Sequence, residues 1–204
     1  MSQEPGQTLI DLIRHGEPEG GSMYRGHSID DPLSEKGWQQ MRSATNGDVP
    51  WQHIISSPLI RCQAFAQELA DKHDIPLSIE HDLREVGFGS WEGKTRQQIK
   101  NDNIQEYEDF YRDPVNCRPP EAEPLDGFIS RVTCAYQVQR KQHSGKHILI
   151  VAHAGVIRAI VADTLHTEPL GLYRITVDNA GISRIRVKND VGYLEALNSR
   201  LENL

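Results

Sequence analysis

Two histidines that each end an apolar stretch are the residues best suited to chemistry in this sequence. His15 follows a mostly apolar run at 9–13 after one arginine, and His153 directly follows the apolar run at 148–152. Short apolar runs bounded by turn signals are typical of buried strands. Neutral imidazole has an unperturbed pKa of about 6.5 and is a capable nucleophile near neutral pH. We therefore predict that His15 is a nucleophile and that His153 faces the same pocket.

Two arginines can supply positive charge beside these histidines. Arg14 immediately precedes His15, and Arg61 falls in the first turn of a predicted helix with Ser57 as its cap and Pro58 in its first position. Helical side chains lean towards the N-terminus, where free N–H groups and the helix dipole favour anions. Guanidinium groups present forked donors that match phosphate oxygens. The pattern predicts a site that surrounds one phosphate group.

A proton donor is the remaining requirement of phosphoryl transfer, because the departing alkoxide must be protonated. Glu85 lies in a glycine-rich segment after a predicted strand. Glu17, Glu92 and Asp31 are rivals on the same grounds. Residue type and position alone leave the choice among these four carboxyl groups open.

The elements that must position these groups alternate along the chain. Strands are predicted at 8–14, 53–56, 76–80, 147–152, 173–178, 182–188 and 192–197. Helices are predicted at 34–46, from 57 to about 69, and at 94–101, 104–112, 127–143 and 155–166. This order favours an α/β fold with a mostly parallel central sheet and helices on both faces, with a hairpin about 179–181. Ligands bind at the carboxyl ends of such strands, where both histidines are expected.

The length of 204 residues suits a single domain, 1–204. Glycines and prolines break up the region at about 86–124, which we interpret as a lid-like excursion over the strand ends. The formal net charge of −7 argues against nucleic acid or an anionic membrane surface as a partner. A small phosphorylated metabolite fits as partner, since a local arginine cluster can oppose the overall charge. Monomer and homodimer both stay open.

Three scattered cysteines argue against a disulfide framework and for a reducing, cytoplasmic location. The polar N-terminus, residues 1–7, lacks the pattern of a signal peptide, and no segment is long and apolar enough to span a bilayer. His143 and His147 have a spacing found in metal sites, but the Ser-Gly pair between them indicates a turn. We expect neither a metal ion nor a cofactor.

Five segments in order resemble the histidine phosphatase superfamily, also called phosphoglycerate mutase-like. They lie at 12–17 (LIRHGE), 31–37 (DPLSEKG), 56–63 (SSPLIRCQ), 83–93 (LREVGFGSWEG) and 151–158 (VAHAGVIR). An Arg-His-Gly triplet alone is a weak signal, whereas five segments in the family's order are a specific one. The resemblance covers residue 8 to about 160.

The resemblance implies the family's fold and a role for each matching residue. His15 matches the nucleophile that becomes phosphohistidine, and Glu85 matches the proton donor of the phosphatase branch. Arg14, Arg61 and His153 match the phosphate pocket. The backbone N–H of Ala154 is implied as a further donor. Apart from the resemblance, Arg25 is a candidate substrate contact, with a solvated surface role as the alternative. The family mechanism uses no metal ion.

Departures from the family pattern favour a phosphatase over a mutase. Val86 and Gly87 follow Glu85, where mutases place an arginine for the substrate carboxylate, and mutases are also longer in the middle of the chain. In a separate departure, Gly20 to Ser22 occupy the region of a common phosphate-binding asparagine, so that contact is absent or replaced by backbone. The short chain and the loop at 16–31 look most like α-ribazole phosphatases of cobalamin biosynthesis, which implies α-ribazole 5′-phosphate as substrate. A mutase-type phosphoryl transfer and a non-catalytic phospholigand-binding domain are the alternatives.

Overall fold

Six strands form one central sheet in the computed structural model, which describes residues 6–204. The strands are β1 (Thr8–Arg14), β2 (His53–Ser56), β3 (Leu77–Ile79), β4 (His147–Ala152), β5 (Ile182–Lys188) and β6 (Val191–Ser199). Their order is β3-β2-β4-β1-β5-β6, in which the first four are parallel and the last two antiparallel. The predicted mostly parallel α/β sheet is confirmed. Most of the polar N-terminus, residues 1–5, on which the signal-peptide prediction depends, lies outside the described residues.

Helices cover both faces of the sheet, as predicted. They are α1 (Glu35–Ala44), α2 (Ile60–His73), α3 (Arg96–Asp102), α4 (Ile104–Arg112), α5 (Leu125–Gln142) and α6 (Ala154–Thr164). One core packs α1 and α2 against strand residues such as Ile13 and Val151, and the other packs α5 and α6 against residues such as Leu12 and Ile150. Alternate residues of each strand enter opposite cores because side chains alternate across a sheet. None of the described helices is long and apolar enough to cross a bilayer.

The two histidine-bearing strands are direct neighbours. In the parallel pairing of β1 with β4, Arg14 lies opposite Ala152. The backbone N–H of His15 donates to the carbonyl of Ala152 at 3.0 Å. His15 and His153 therefore leave the sheet side by side at the carboxyl ends of adjacent strands.

The start of α2 differs from the prediction. The helix begins at Ile60 with Leu59 as its cap residue, and no side chain caps it, so the proposed role of Ser57 is wrong. The Ser57 hydroxyl, which the sequence predicts as the helix cap, instead lies 2.7 Å from Nε2 of His153.

The strand predicted at 173–178 does not form. A 3₁₀ turn at Pro169–Arg174 precedes irregular backbone, and both edges of β1 are already occupied by β4 and β5. The carbonyls of Ile175 and Val177 accept from Arg158 and Arg14 instead of from a strand.

The predicted hairpin is also misplaced. The turn between β5 and β6 is at Asn189 and Asp190, whose φ angles are 52° and 60°. Positive φ at both positions is the requirement of a type I′ hairpin turn. The turn at 179–181 instead connects the irregular segment to β5 and bonds back to β1, where the N–H of Ala180 donates to the carbonyl of Arg14.

The excursion predicted at 86–124 contains α3 and α4 and has a small apolar cluster of its own. Trp91, Ile99 and Phe110 form its buried centre, with Tyr24 and Tyr173 packed against it from outside the excursion. Helix α3 begins with a reciprocal capping box. The interpretation of residues 86–124 as a lid-like excursion stays a prediction.

Candidate active site

A cavity of about 470 Å³ opens at the carboxyl ends of β1 and β4. Its volume lies within the range common for small-molecule sites. The lining includes seven arginines, which are Arg14, Arg25, Arg61, Arg96, Arg112, Arg158 and Arg174. Six aromatic side chains also line it, which are Tyr24, Phe88, Phe110, Tyr111, Phe128 and Tyr173. Among the described residues, Glu17 and Glu85 are the carboxylates of the lining, so the cavity is strongly cationic in a chain that is negative overall.

His15 lies in the cavity wall with one ring nitrogen occupied. Its Nδ1 is 2.7 Å from the carbonyl oxygen of Gly16, which assigns the proton to Nδ1 and leaves the lone pair on Nε2. Burial lowers the pKa of His15 well below 6.5, and the charges of Arg61 and Arg14 lower it further. The imidazole is therefore neutral at pH 7, which is the protonation state of a nitrogen nucleophile.

His153 packs against His15, with the ring centroids 5.2 Å apart at an angle of 62°. It is fully buried and, unlike His15, is not among the residues that line the cavity, so the structure does not place its side chain in the pocket wall as predicted. Its Nε2 contacts the Ser57 hydroxyl at 2.7 Å, and Sγ of Cys62 lies 3.6 Å from the same nitrogen. Burial lowers the pKa of His153 well below 6.5, with Arg61 as the next cause. Sequence reasoning missed Ser57 as a histidine contact because a serine before a proline equally indicates a helix cap.

Arg61 is almost completely buried at the start of α2, at 1% exposure. Its Nη1 donates to the carbonyl of Ile29 at 3.0 Å and its Nη2 to that of Gly26 at 2.8 Å. These bonds fix the guanidinium in the cavity wall and tie the loop before α1 to α2. Arg14 is fixed similarly, since its Nη1 donates to the carbonyl of Val177 at 2.7 Å. Both arginines therefore line the same cavity as His15, as the sequence predicts.

Glu85 enters the cavity from the segment after the 3₁₀ turn at His81–Leu83. Its Oε1 accepts from the N–H of Val86 at 2.9 Å and its Oε2 from the N–H of Gly155 at 3.2 Å. Gly155 belongs to the first turn of α6, directly after His153 and Ala154. The Glu85 carboxylate thus lies at the helix N-terminus that faces the histidine pair.

The three rival carboxylates have other partners. Glu17 lines the cavity but pairs with Lys36 at 2.8 Å near the surface. Glu92 accepts two backbone N–H groups at 2.7 and 3.1 Å and is not in the cavity wall. Asp31 pairs with Arg25 at 2.8 Å. The contacts in the folded protein, and not residue type or position in the sequence, distinguish these three carboxyl groups from Glu85.

The remaining predicted residues also lie in the cavity wall. Ala154 opens α6, where first-turn N–H groups lack partners within the helix. Arg25 is buried, and its ion pair with Asp31 makes it a support of the loop as well as a candidate contact. Arg158 was missed by the sequence prediction, although its spacing from Ala154 and Gly155 places all three on one face of α6. Its Nε donates to the carbonyl of Ile175 at 2.8 Å.

A neutral histidine beside fixed guanidinium groups, a helix N-terminus and a carboxyl group defines a site for phosphoryl groups. The family model of the histidine phosphatase superfamily (branch 1) matches residues 10–200, so the chain belongs to that superfamily and is a phosphatase.

Individual relatives agree with this assignment. The adenosylcobalamin/alpha-ribazole phosphatase of Salmonella typhimurium is 28% identical over 193 residues, which cover 93% of this chain and 95% of the relative. Phosphoserine phosphatase 1 of Hydrogenobacter thermophilus is 25% identical over 191 residues, covering 92% and 90% of the two chains. The structure of Bacillus stearothermophilus YhfR superposes with a TM-score of 0.86 at 25% identity, covering 94% of this chain and 97% of that chain.

Proposed function

We propose that the protein hydrolyses phosphomonoesters through a phosphohistidine on His15, with Glu85 as proton donor and no metal ion. The observation that carries the proposal is the bond from Nδ1 of His15 to the Gly16 carbonyl, which leaves Nε2 unprotonated in a cavity lined by Arg14 and Arg61. A buried neutral imidazole beside two guanidinium groups is suited to attack phosphorus while the developing charge is stabilised.

The reaction has two half-reactions. In the first, Nε2 of His15 bonds to phosphorus, the ester P–O bond breaks, and Glu85 gives its proton to the departing alkoxide. In the second, Glu85 takes a proton from water as that water attacks the phosphohistidine and releases inorganic phosphate. Arg14 and Arg61 bind the phosphoryl oxygens in both steps. His153 packs against His15 and supports the part of the cavity wall that binds the phosphoryl group.

The substrate we propose is α-ribazole 5′-phosphate, which would place the reaction in cobalamin biosynthesis. The similarity to the alpha-ribazole phosphatase of Salmonella typhimurium supports this choice. The six aromatic side chains of the cavity wall also support it, because the base of α-ribazole is a flat aromatic ring that such side chains can contact.

The test is release of inorganic phosphate from a panel of phosphomonoesters in the presence of a chelator. The panel contains α-ribazole 5′-phosphate, phosphoserine, 3-phosphoglycerate, nucleoside monophosphates and sugar phosphates. We expect chelator-resistant release that is fastest with α-ribazole 5′-phosphate. The His15→Ala variant should lose at least about 10³-fold in turnover while its circular dichroism spectrum matches that of the wild type.

Each alternative has its own outcome in this experiment. Faster turnover of another ester would contradict the proposed substrate but not the mechanism. Transfer of phosphate between positions of 3-phosphoglycerate without net release would indicate a mutase. Tight binding without turnover would indicate a phospholigand-binding domain. Most of the activity surviving in His15→Ala would refute the nucleophile.

A further inference from the structure

A partly buried ion pair lies against the segment that carries Glu85. Arg131 on α5 and Glu123, just before α5, bond side-on through two contacts, Nε to Oε1 at 2.7 Å and Nη2 to Oε2 at 2.8 Å. Their side chains are 11% and 15% exposed. Burial alone would raise the pKa of Glu123. The hydrogen bonds from Arg131 and from the N–H of Gly87 together lower it by more, so the pKa of Glu123 is below its usual range. Neither residue lines the cavity.

Arg131 binds the backbone that precedes the Glu85 carboxylate. Its Nη1 donates to the carbonyls of Asp82 at 2.6 Å and Arg84 at 2.9 Å, and its Nη2 donates to the carbonyl of Glu85 at 3.1 Å. One guanidinium therefore satisfies three carbonyls within four residues while it is paired with Glu123.

Glu123 binds the backbone that follows. Its Oε2 accepts from the N–H of Gly87 at 3.0 Å. A side chain at Gly87 has no room, since a Cβ there would lie 2.9 Å from the ring of His27 and 3.2 Å from Cβ of Glu123. The ring of His27 also contacts the carbonyl of Glu85 at 3.1 Å. The peptide groups on both sides of Glu85 are thus held by one ion pair.

We propose that Arg131 and Glu123 are positioning residues that hold the Glu85 carboxyl group where the leaving oxygen is protonated. The inference rests on the proposed function. The Glu85 carboxylate accepts hydrogen bonds from the backbone N–H groups of Val86 and Gly155, so its location depends on where the backbone around it lies. A misplacement of about 1 Å in a reacting group can lower a rate about 10²-fold.

The leaving group of the substrate separates this role from general structural support. An alkoxide needs a proton as it departs, whereas p-nitrophenolate is a weak base and departs without one. The value of kcat/KM reports the steps up to phosphohistidine formation. A displaced proton donor therefore lowers kcat/KM for an alkyl phosphate but barely changes it for p-nitrophenyl phosphate.

The experiment compares kcat/KM for the best alkyl phosphate and for p-nitrophenyl phosphate in Arg131→Lys and Glu123→Gln. We expect a loss of about 10- to 100-fold with the alkyl phosphate and less than about threefold with p-nitrophenyl phosphate. Glu85→Gln should show the same selectivity. Arg140→Lys is the matched control, because Arg140 lies on the same helix and pairs with Asp190 at 3.2 Å, away from the cavity.

The ratio of the two kcat/KM values does not depend on the fraction of folded enzyme, so partial unfolding of a variant does not blur the result. Equal losses on both substrates, or no loss in either variant, would overturn the positioning role. If Glu85→Gln itself lacked selectivity, the proposed proton donor would be wrong. Selectivity in Glu85→Gln without selectivity in Arg131→Lys and Glu123→Gln would refute the present inference alone.

Discussion

The Oε2 atom of Glu85 accepts a hydrogen bond from the backbone N–H of Gly155 at 3.2 Å, which joins the proposed proton donor to the helix that begins beside His153. The contact requires a glycine, because a Cβ at position 155 would lie 2.3 Å from Oε1 of Glu85. The carboxylate is the flexible end of a side chain, so it would move aside. The chain would then still fold, but with its proton donor displaced.

Gly155→Ala is therefore expected to lower kcat for alkyl phosphates about 10- to 100-fold with little loss of stability. Steady-state kinetics and thermal unfolding together check this. Gly127→Ala on α5 is the matched control, since a Cβ there meets nothing within 4 Å. It should keep full activity and stabilise its helix by about 0.5–1 kcal/mol. Equal activity of both variants would contradict the proposed importance of the Glu85 location.

Arg61→Ala should impair both catalysis and folding. Loss of a charge-stabilising donor lowers kcat about 10²- to 10³-fold, and the carbonyls of Gly26 and Ile29 lose their donors. Each unsatisfied buried group costs about 1–3 kcal/mol. Activity assays and urea unfolding measure the two effects. Arg42→Ala, which removes an exposed pair with Glu68, should change neither by much. Wild-type turnover in Arg61→Ala would exclude a phosphate contact.

The free energy of unfolding should fall as the pH drops below 6.5. Burial holds the pKa values of His15 and His153 well below 6.5 in the folded protein, so the unfolded chain binds more protons in that window. Each histidine then contributes a loss of about 1.4 kcal/mol per pH unit. Urea unfolding at pH 7.5 and 5.5 measures the difference, which should be smaller in His15→Gln. The exposed His81→Gln variant is the control, and an identical pH dependence in both variants would contradict the prediction.

A buried polar network on β1 should matter for stability rather than for activity. Asp11 is fully buried, accepts two bonds from Arg184 at 2.7 and 2.9 Å, and contacts Trp51 and His147 at 2.8 Å. Asp11→Asn leaves the largely buried guanidinium of Arg184 without a counter-charge and should cost about 3–5 kcal/mol, measured by denaturant unfolding. Asp190→Asn, at an exposed pair, should cost less than about 1 kcal/mol. A similarly small loss of unfolding free energy in both variants would show that the network contributes little to stability.

The spacing of apolar residues predicts most of the helices and strands, because the buried face of each element repeats with the period of that element. The apolar runs before His15 and His153 are strands, and the 3.6-residue spacing around α2 and α5 predicts the ends of those helices to within about four residues. Where two local signals compete, pattern was insufficient. Ser57 is equally suited to cap a helix and to contact a histidine, and only the packing of His153 decides between the two.

The segment at 173–178 shows a different limit. Its alternation is typical of a strand, but a strand also needs a free sheet edge, and β5 occupies the one beside β1. The pairing of β5 depends on the turn at Asn189 and Asp190, whose positive φ angles permit the hairpin. Competition between segments for one edge cannot be derived from either segment alone.

What the sequence by itself determined is the chemistry available: two histidines after buried strands, with Arg14 and Arg61 beside them, in an order that matches the phosphatase superfamily. The adjacency of β1 and β4, and with it the meeting of His15 and His153, was decided by the tertiary structure. So was the separation of Glu85 from Glu17, since all carboxyl groups are alike until burial and neighbours distinguish them. Strand order and side-chain partners are long-range relations, and the free energy that selects them exists only once the whole chain has packed.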